Sequence, residues 1–169
     1  MTNSLKSKED LIELFKELNE SLFNYFFFRV FYNKEVAEDL TSELFLKIWN
    51  KREHFDSSKS SLKTWIYSIA RNHLIDYIRK EGRIDKVAID NEILSNIKGR
   101  SDIEEKHLFD FVIETIDRLD DENRELIVLR YIIGLEIDEI AKVNSKSYNA
   151  TKVAIYRSIQ KLKDKINGE

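Results

Sequence analysis

The chain has 169 residues, which suits one ordinary domain or two small ones. It has no proline, only four glycines, 42% apolar and 35% charged residues, a composition that points to an all-α fold, and its lack of cysteine excludes disulfides and thiolate metal sites. The net charge of −3 excludes a uniformly basic coat, so any nucleic-acid surface must arise from the distribution of charge along the chain.

The N-terminus carries Glu9, Asp10, Glu13 and Glu17 and lacks a signal peptide's apolar run. Ser7 can cap a first helix with Leu11, Phe15, Leu18, Leu22, Phe26 and Val30 at spacings of three or four. Within it, "LFNYFFFRVFY" is the most apolar stretch, but Asn24 and Arg29 interrupt it and it is too short to span a bilayer. No membrane insertion and a cytoplasmic location are therefore expected. Asn33 can cap a second helix running to about Arg52, with Val36, Leu40, Leu44 and Ile48 as its stripe. "HFDSSKSS" is a polar loop holding one aromatic, Phe55. Ser60 or Ser61 then caps a third helix, "LKTWIYSIARNHLIDYIRK", which Gly82 ends.

That third helix changes character along its length. Leu62, Trp65, Ile66 and Ile69 form a core stripe, with Trp65 weighed as core rather than stacking platform. Tyr67, Arg71, Asn72, Ile75 and Arg79 lie off it, and cations beside aromatics suit unpaired or distorted nucleic acid. Arg83 to Glu105 shows no sustained period and reads as a linker, with Ser101 and Glu104 as a capping box for the next helix. That helix carries Phe109, Val112, Ile113, Ile116 and Leu119. Asp120 can cap another, with Leu126, Val128, Leu129 and Ile132, closed by Gly134.

The charge then inverts. Asp120, Asp121, Glu122, Glu125, Glu136, Asp138 and Glu139 face only Arg124 and Arg130, whereas Lys142 to Lys165 is basic but for Asp164. "LEIDEIAKV", the turn "NSKS" and "YNATKVAIYRSIQKLKDKI" read as a helix-turn-helix, with Ser147 as the second cap. Ile137, Ile140, Ala141, either Val153 or Ala154, Ile155, Ile159 and Leu162 face the core. Lys152, Tyr156, Arg157 and Lys161 share the opposite face, the arrangement a major-groove recognition helix needs. An amphipathic terminal helix with a merely solvated basic face is the plainer alternative. Catalysis has little support. His54, His73 and His107 are dispersed, and there is no glycine-rich phosphate loop or nucleophile elbow, so neither enzyme chemistry nor a metal or cofactor is expected.

Three separated blocks, "AEDLTSELFLKIW", "LKTWIYSIARNHLIDYIRK" and "ENRELIVLRYIIGLEIDEIAK" with "TKVAIYRSIQKLK", resemble in order and spacing an extracytoplasmic-function sigma factor of bacterial RNA polymerase. The resemblance implies two small helical domains: a three-helix region 2 over 1–83 and, after a linker over 84–105, a four-helix region 4 with the helix-turn-helix over 106–169. It implies docking on the polymerase clamp through Asp39, Leu40, Ser42, Glu43 and Phe45. It implies −10 recognition and melting by Phe55, Lys63, Arg71, Asn72, Arg79 and Lys80, with an extruded base held by the Phe55–Ser61 loop. It implies −35 recognition by Lys152, Tyr156, Arg157 and Lys161. The implied partners are core RNA polymerase, promoter DNA and an anti-sigma factor.

The sequence departs from the family pattern at Ser42, where glutamine is usual, and at Asp120, which follows Leu119 where proline is usual. Asn144, Ser145 and Lys146 replace an apolar-glycine-apolar turn, which predicts a looser turn, and Ala154 stands where many members carry arginine. Two other classes compete: a dimeric helix-turn-helix regulator of duplex DNA, which leaves the first two blocks unexplained, and a helical adaptor that binds polymerase or an anti-sigma protein without reading DNA.

Overall fold

The structure, a computed structural model, describes residues 5–82 and 115–166. The linker, the Ser101–Glu104 capping box, His107 and the helix positions Phe109, Val112 and Ile113 lie outside the described residues. Every described regular element is helical: α1 Lys8–Arg29, α2 Lys34–Lys51, a 3₁₀ turn Arg52–His54, α3 Leu62–Glu81, α4 Asp121–Ile127, a π turn Val128–Ile132, α5 Ile137–Val143 and α6 Tyr148–Ile166. The fold is all-α.

Side-chain oxygens set the starts of these helices. The Asp10 amide donates to Ser7 Oγ at 3.1 Å, and the Ser7 amide donates to Asp10 Oδ2 at 3.1 Å, closing a capping box. Asn33, Ser61, Asp120 and Ser147 accept in the same way from Val36, Thr64, Asn123 and Ala150. Of the two serines open as caps for α3, Ser61 holds the position. Gly82 ends α3 at φ 73°, donating its amide to Ile78 O.

α1, α2 and α3 pack as a three-helix unit around Leu14, Leu18, Leu22, Leu40, Leu44, Ile48, Ile66 and Leu74. The expected stripe of α1 is only partly the buried one: Phe15 is 46% exposed, whereas Tyr25, Phe26, Phe27 and Phe28 are all buried. Four consecutive buried residues require cover on every side of the helix. α2 supplies one side, and α4 and the π turn of the second unit supply another. The apolar run that was too short for a membrane is thus sandwiched between two protein surfaces. It ends in a corner where Phe31 and Tyr32 both adopt left-handed backbone, at φ 54° and 66°. Such a conformation is costly for aromatic residues and persists only where neighbours hold it.

In the second unit the sequence predicts one helix from Asp120 to Gly134. Instead α4 stops at Ile127 and the chain widens into the π turn, where the Ile133 amide donates to Val128 O at 3.0 Å. Arg130 Nη1 then donates to Leu135 O at 2.8 Å and fixes the exit. The turn between α5 and α6 is not loose. Ser145 takes the left-handed position at φ 53°, and the amides of Asn144, Ser145 and Lys146 all donate back to α5.

Candidate nucleic-acid interface

The exposed side of α3 carries its candidates in register. Trp65, Asn72 and Arg79 stand seven residues apart, almost two full turns, so they share one face over about 21 Å. At its N-terminal end Phe55 packs on Trp65 with ring centroids 5.4 Å apart and planes tilted by 51°. Both rings are half-buried against the core, so each is part anchor and part exposed π-surface. The loop between them is ordered by Asp56, whose carboxylate accepts from the Ser58 amide and hydroxyl at 3.0 and 2.7 Å and pairs with Lys59. The Ser58 hydroxyl, then its amide, then Lys59 hold that carboxyl below its usual range. Asn72 is exposed, Lys63 and Arg71 are half-buried, and Arg79 and Lys80 are 78% and 82% exposed. α3 therefore brings all six −10 candidates along one helix and the loop that packs on it.

On α2 the five candidate docking residues separate. Asp39, Ser42 and Glu43 are exposed, but Leu40 is 2% and Phe45 7% exposed. Leu40 faces the core and Phe45 packs under Phe15, with centroids 4.8 Å apart. These two hold the face up from behind rather than forming its contact surface. Leu46, at 67% exposure, stands beside the acids and was missed in the sequence; its apolar character on a solvated helix position was the available signal. Glu43 reaches across to His73 Nε2 at 3.4 Å, and Lys47 Nζ lies 2.7 Å from His73 Nδ1. Burial, then the Lys47 charge, lower the His73 pKa, against the pull of Glu43. Lys47 Nζ can only donate, so in the neutral ring Nδ1 is the acceptor and Nε2, on the Glu43 side, carries the proton.

On α6, Lys152, Tyr156, Arg157 and Lys161 are all exposed, Tyr156 at 63%. The opposite side is held by Ile155 and by Ser158, whose hydroxyl donates to Asn123 Oδ1 at 2.7 Å on α4. Of the two open core positions Ala154 turns inward, while Val153 is 47% exposed. Asn149 and Val153 line one groove with Arg157 and Lys161, at four-residue steps that sequence reasoning had not followed to their start. Two cations are tethered by acids of the same unit: Lys161 donates to Asp120 Oδ2 at 3.1 Å, and Lys146 to Glu122. The Asn123 amide, with Lys161 and the Asn123 side chain, takes the Asp120 carboxyl down to about 2. Among the described residues no group of three or more His, Cys, Asp or Glu is placed to hold a metal, and no helix is long and apolar enough to cross a membrane.

Residues 16–84 match the model of sigma-70 region 2, and residues 112–162 match that of sigma-70 region 4. The chain belongs to the extracytoplasmic-function sigma factors of the sigma-70 family. Its relatives include the sigma factor BldN of Streptomyces coelicolor, 28% identical over 153 residues that cover 88% of this chain and 57% of BldN. YlaC of Bacillus subtilis is 27% identical over 165 residues, 94% of this chain and 93% of that protein. The fold is shared with the sigma factor RpoE of Bartonella quintana, solved with the anti-sigma factor NepR, at a TM-score of 0.73 and 21% identity over 95% of this chain and 98% of RpoE. An RNA polymerase sigma factor is a DNA-recognition subunit, and both of the DNA-recognition regions of the family are present in this sigma factor.

Proposed function

We propose that this sigma factor docks on core RNA polymerase through the outer face of α2, melts the −10 promoter element on α3 and reads the −35 duplex with α6. The observation that carries this reading is the seven-residue register of Trp65, Asn72 and Arg79, with Phe55 at its head. Duplex binding needs cations alone; holding a strand open needs an aromatic face for an extruded base and polar groups to read it. The Phe55 loop supplies the first and Asn72 the second, while Arg71, Arg79 and Lys80 follow the backbone. Stacking on an aromatic contributes about 1–3 kcal/mol per base, enough to offset much of one unpairing step.

Docking uses Asp39, Ser42, Glu43 and Leu46, an apolar residue set among acids, which suits a mixed or basic helical surface on the clamp. On α6, Arg157 points a bidentate donor at base edges and Lys152, Tyr156 and Lys161 hold the phosphates. The sigma factor performs no bond chemistry in this scheme; RNA synthesis belongs to the polymerase, in the cytoplasm. An anti-sigma factor is a further partner, since the structure of like fold was solved with one.

The test is run-off transcription with core polymerase and purified chain on a promoter library. Promoter-dependent transcripts that require the chain are the expected result. Duplex binding without transcripts would favour a helix-turn-helix regulator, and polymerase binding without promoter selection would favour an adaptor.

A further inference from the structure

Position 154, where many family members carry arginine, holds an alanine half-buried against the core, so no side chain reads DNA from there. Three other residues fill the middle of the open face of α6. At about 100° per residue, Asn149, Val153 and Tyr156 fall within about 60° of arc. They stand across the helix from Thr151, Ile155 and Ser158, which are 0%, 5% and 0% exposed. Asn149 is exposed, as are Val153 and Tyr156. Lys152 borders this stripe on one side, and Arg157 and Lys161 border it on the other. Cations at the edges and uncharged side chains in the middle match a major groove, where phosphates rim a floor of base edges. The start of α6 is firmly held. The Ala150 amide donates to Ser147 Oγ at 3.3 Å and the Thr151 hydroxyl to Ser147 O at 3.0 Å. Further along, the Ser158 hydroxyl ties the helix to Asn123 of α4. Asn149 is the second residue of α6, and its side-chain amide makes no hydrogen bond among the described residues. The α4 acids nearest this face are already paired, Asp120 with Lys161 and Glu122 with Lys146.

The N-terminal residues of a recognition helix are the ones that reach base edges. An asparagine amide fits one base there: its carbonyl accepts from adenine N6 and its NH₂ donates to adenine N7. Val153, one turn on, has no polar side-chain atom and fits the thymine C5 methyl. Against cytosine it would leave the N4 amino group unpaired. We propose that Asn149 reads an adenine and Val153 a thymine methyl in the −35 duplex, beside a guanine read by Arg157, the base an arginine fork fits. This inference rests on the reading of α6 as the −35 helix. The three residues follow at four-residue steps, so Asn149 and Arg157 stand about 12 Å apart along the axis, a span of about four base pairs. The adenine and the thymine therefore lie within that distance of the guanine. Tyr156, beside Lys152 on the helix, stays with the phosphates.

The test uses holoenzyme and a promoter whose −35 segment is randomised. Selection should return an adenine and a thymine beside a guanine. Asn149→Ala should relax the preference for adenine about tenfold and leave the preference for guanine unchanged. Base analogues put the same question to the native chain, where folding of a variant does not enter. 7-Deazaadenine, which lacks N7, should weaken native binding about fivefold and binding by Asn149→Ala not at all. Uracil in place of the thymine removes the C5 methyl, and should weaken native binding about fourfold and binding by Val153→Ala not at all. Native and variant chains that respond alike to either analogue would overturn the proposal. Selection of guanine without adenine or thymine would also overturn it, and both results leave the −35 reading intact. Selection without any −35 preference would refute the −35 reading itself.

Discussion

On α6 the candidate cations Lys152, Arg157 and Lys161 are exposed, whereas on α3 Arg71 is half-buried beside the second unit. The α6 face is charged and polar with Val153 and Tyr156 exposed on it; the α3 face begins in a half-buried Phe–Trp pair and runs through Asn72 to Arg79. On the proposed function, the difference follows from the form of DNA each face would meet. A duplex presents phosphates and base edges to a helix that needs no enclosure. An unwound strand presents π-faces that must be desolvated, and a surface able to do that is also able to pack against protein. On α3 the aromatic end is half-buried, while Asn72, Arg79 and Lys80 stay exposed.

The division of labour between the units breaks most visibly at docking. Leu46→Glu should weaken assembly with core polymerase about a hundredfold, ~3 kcal/mol, as for a central apolar anchor. Its thermal stability should stay within about 0.5 kcal/mol, because the side chain is exposed. Val153→Glu, an equivalent change on α6, should leave assembly unchanged, and interferometry with immobilised polymerase compares the two. If both weaken assembly alike, docking is not confined to the first unit.

Within α6 the contrast is between reading and holding. Arg157→Ala should cost about 1–3 kcal/mol on the cognate −35 duplex and little on random DNA. Lys161→Ala should weaken all duplexes alike and flatten the salt slope by at most about one unit. Lys161 is tethered to Asp120 at 3.1 Å, a surface pair worth about 0–1 kcal/mol, so a phosphate displaces it at little cost. Titrations at several salt concentrations separate the two variants.

The smallest effect lies beneath the docking face. The His73 pKa is lowered from its ordinary 6.5, so the unfolded chain takes up the proton first as pH falls. The stability this contributes is complete above 6.5 and is lost progressively below it. Melting curves at about pH 7.5 and about pH 5.5 should show a larger drop for the native chain than for His73→Gln. Equal drops would place the titration elsewhere.

The helix starts were legible because a cap is a local bond over three residues: Ser7, Asn33, Asp120 and Ser147 needed nothing from the rest of the chain. The opposite is true of α1, where periodicity marked Phe15 for the core and offered no reason to bury Tyr25 through Phe28 on every side. That burial depends on the second unit, about 100 residues away, as the Tyr25–Glu125 bond shows. The left-handed Phe31 and Tyr32 were hidden for the same reason, since only tertiary contacts hold aromatic residues there. Of the candidate site, the exposed cations and Asn72 were readable from spacing. The inward turn of Leu40 and Phe45 and the exposure of Leu46 were not, because docking faces are set by which side of α2 the core takes.

The central claim is that α3 holds an opened strand, and permanganate footprinting of holoenzyme on a selected promoter tests it most directly. The native chain should make −10 thymines reactive. Phe55→Ala and Asn72→Ala should each lose that reactivity about tenfold, and bind the single-stranded −10 segment correspondingly less, while binding an isolated −35 duplex normally. Full reactivity with normal strand affinity in both variants would contradict the account, leaving Phe55 a loop anchor on Trp65 and Asn72 a surface residue without a strand to read.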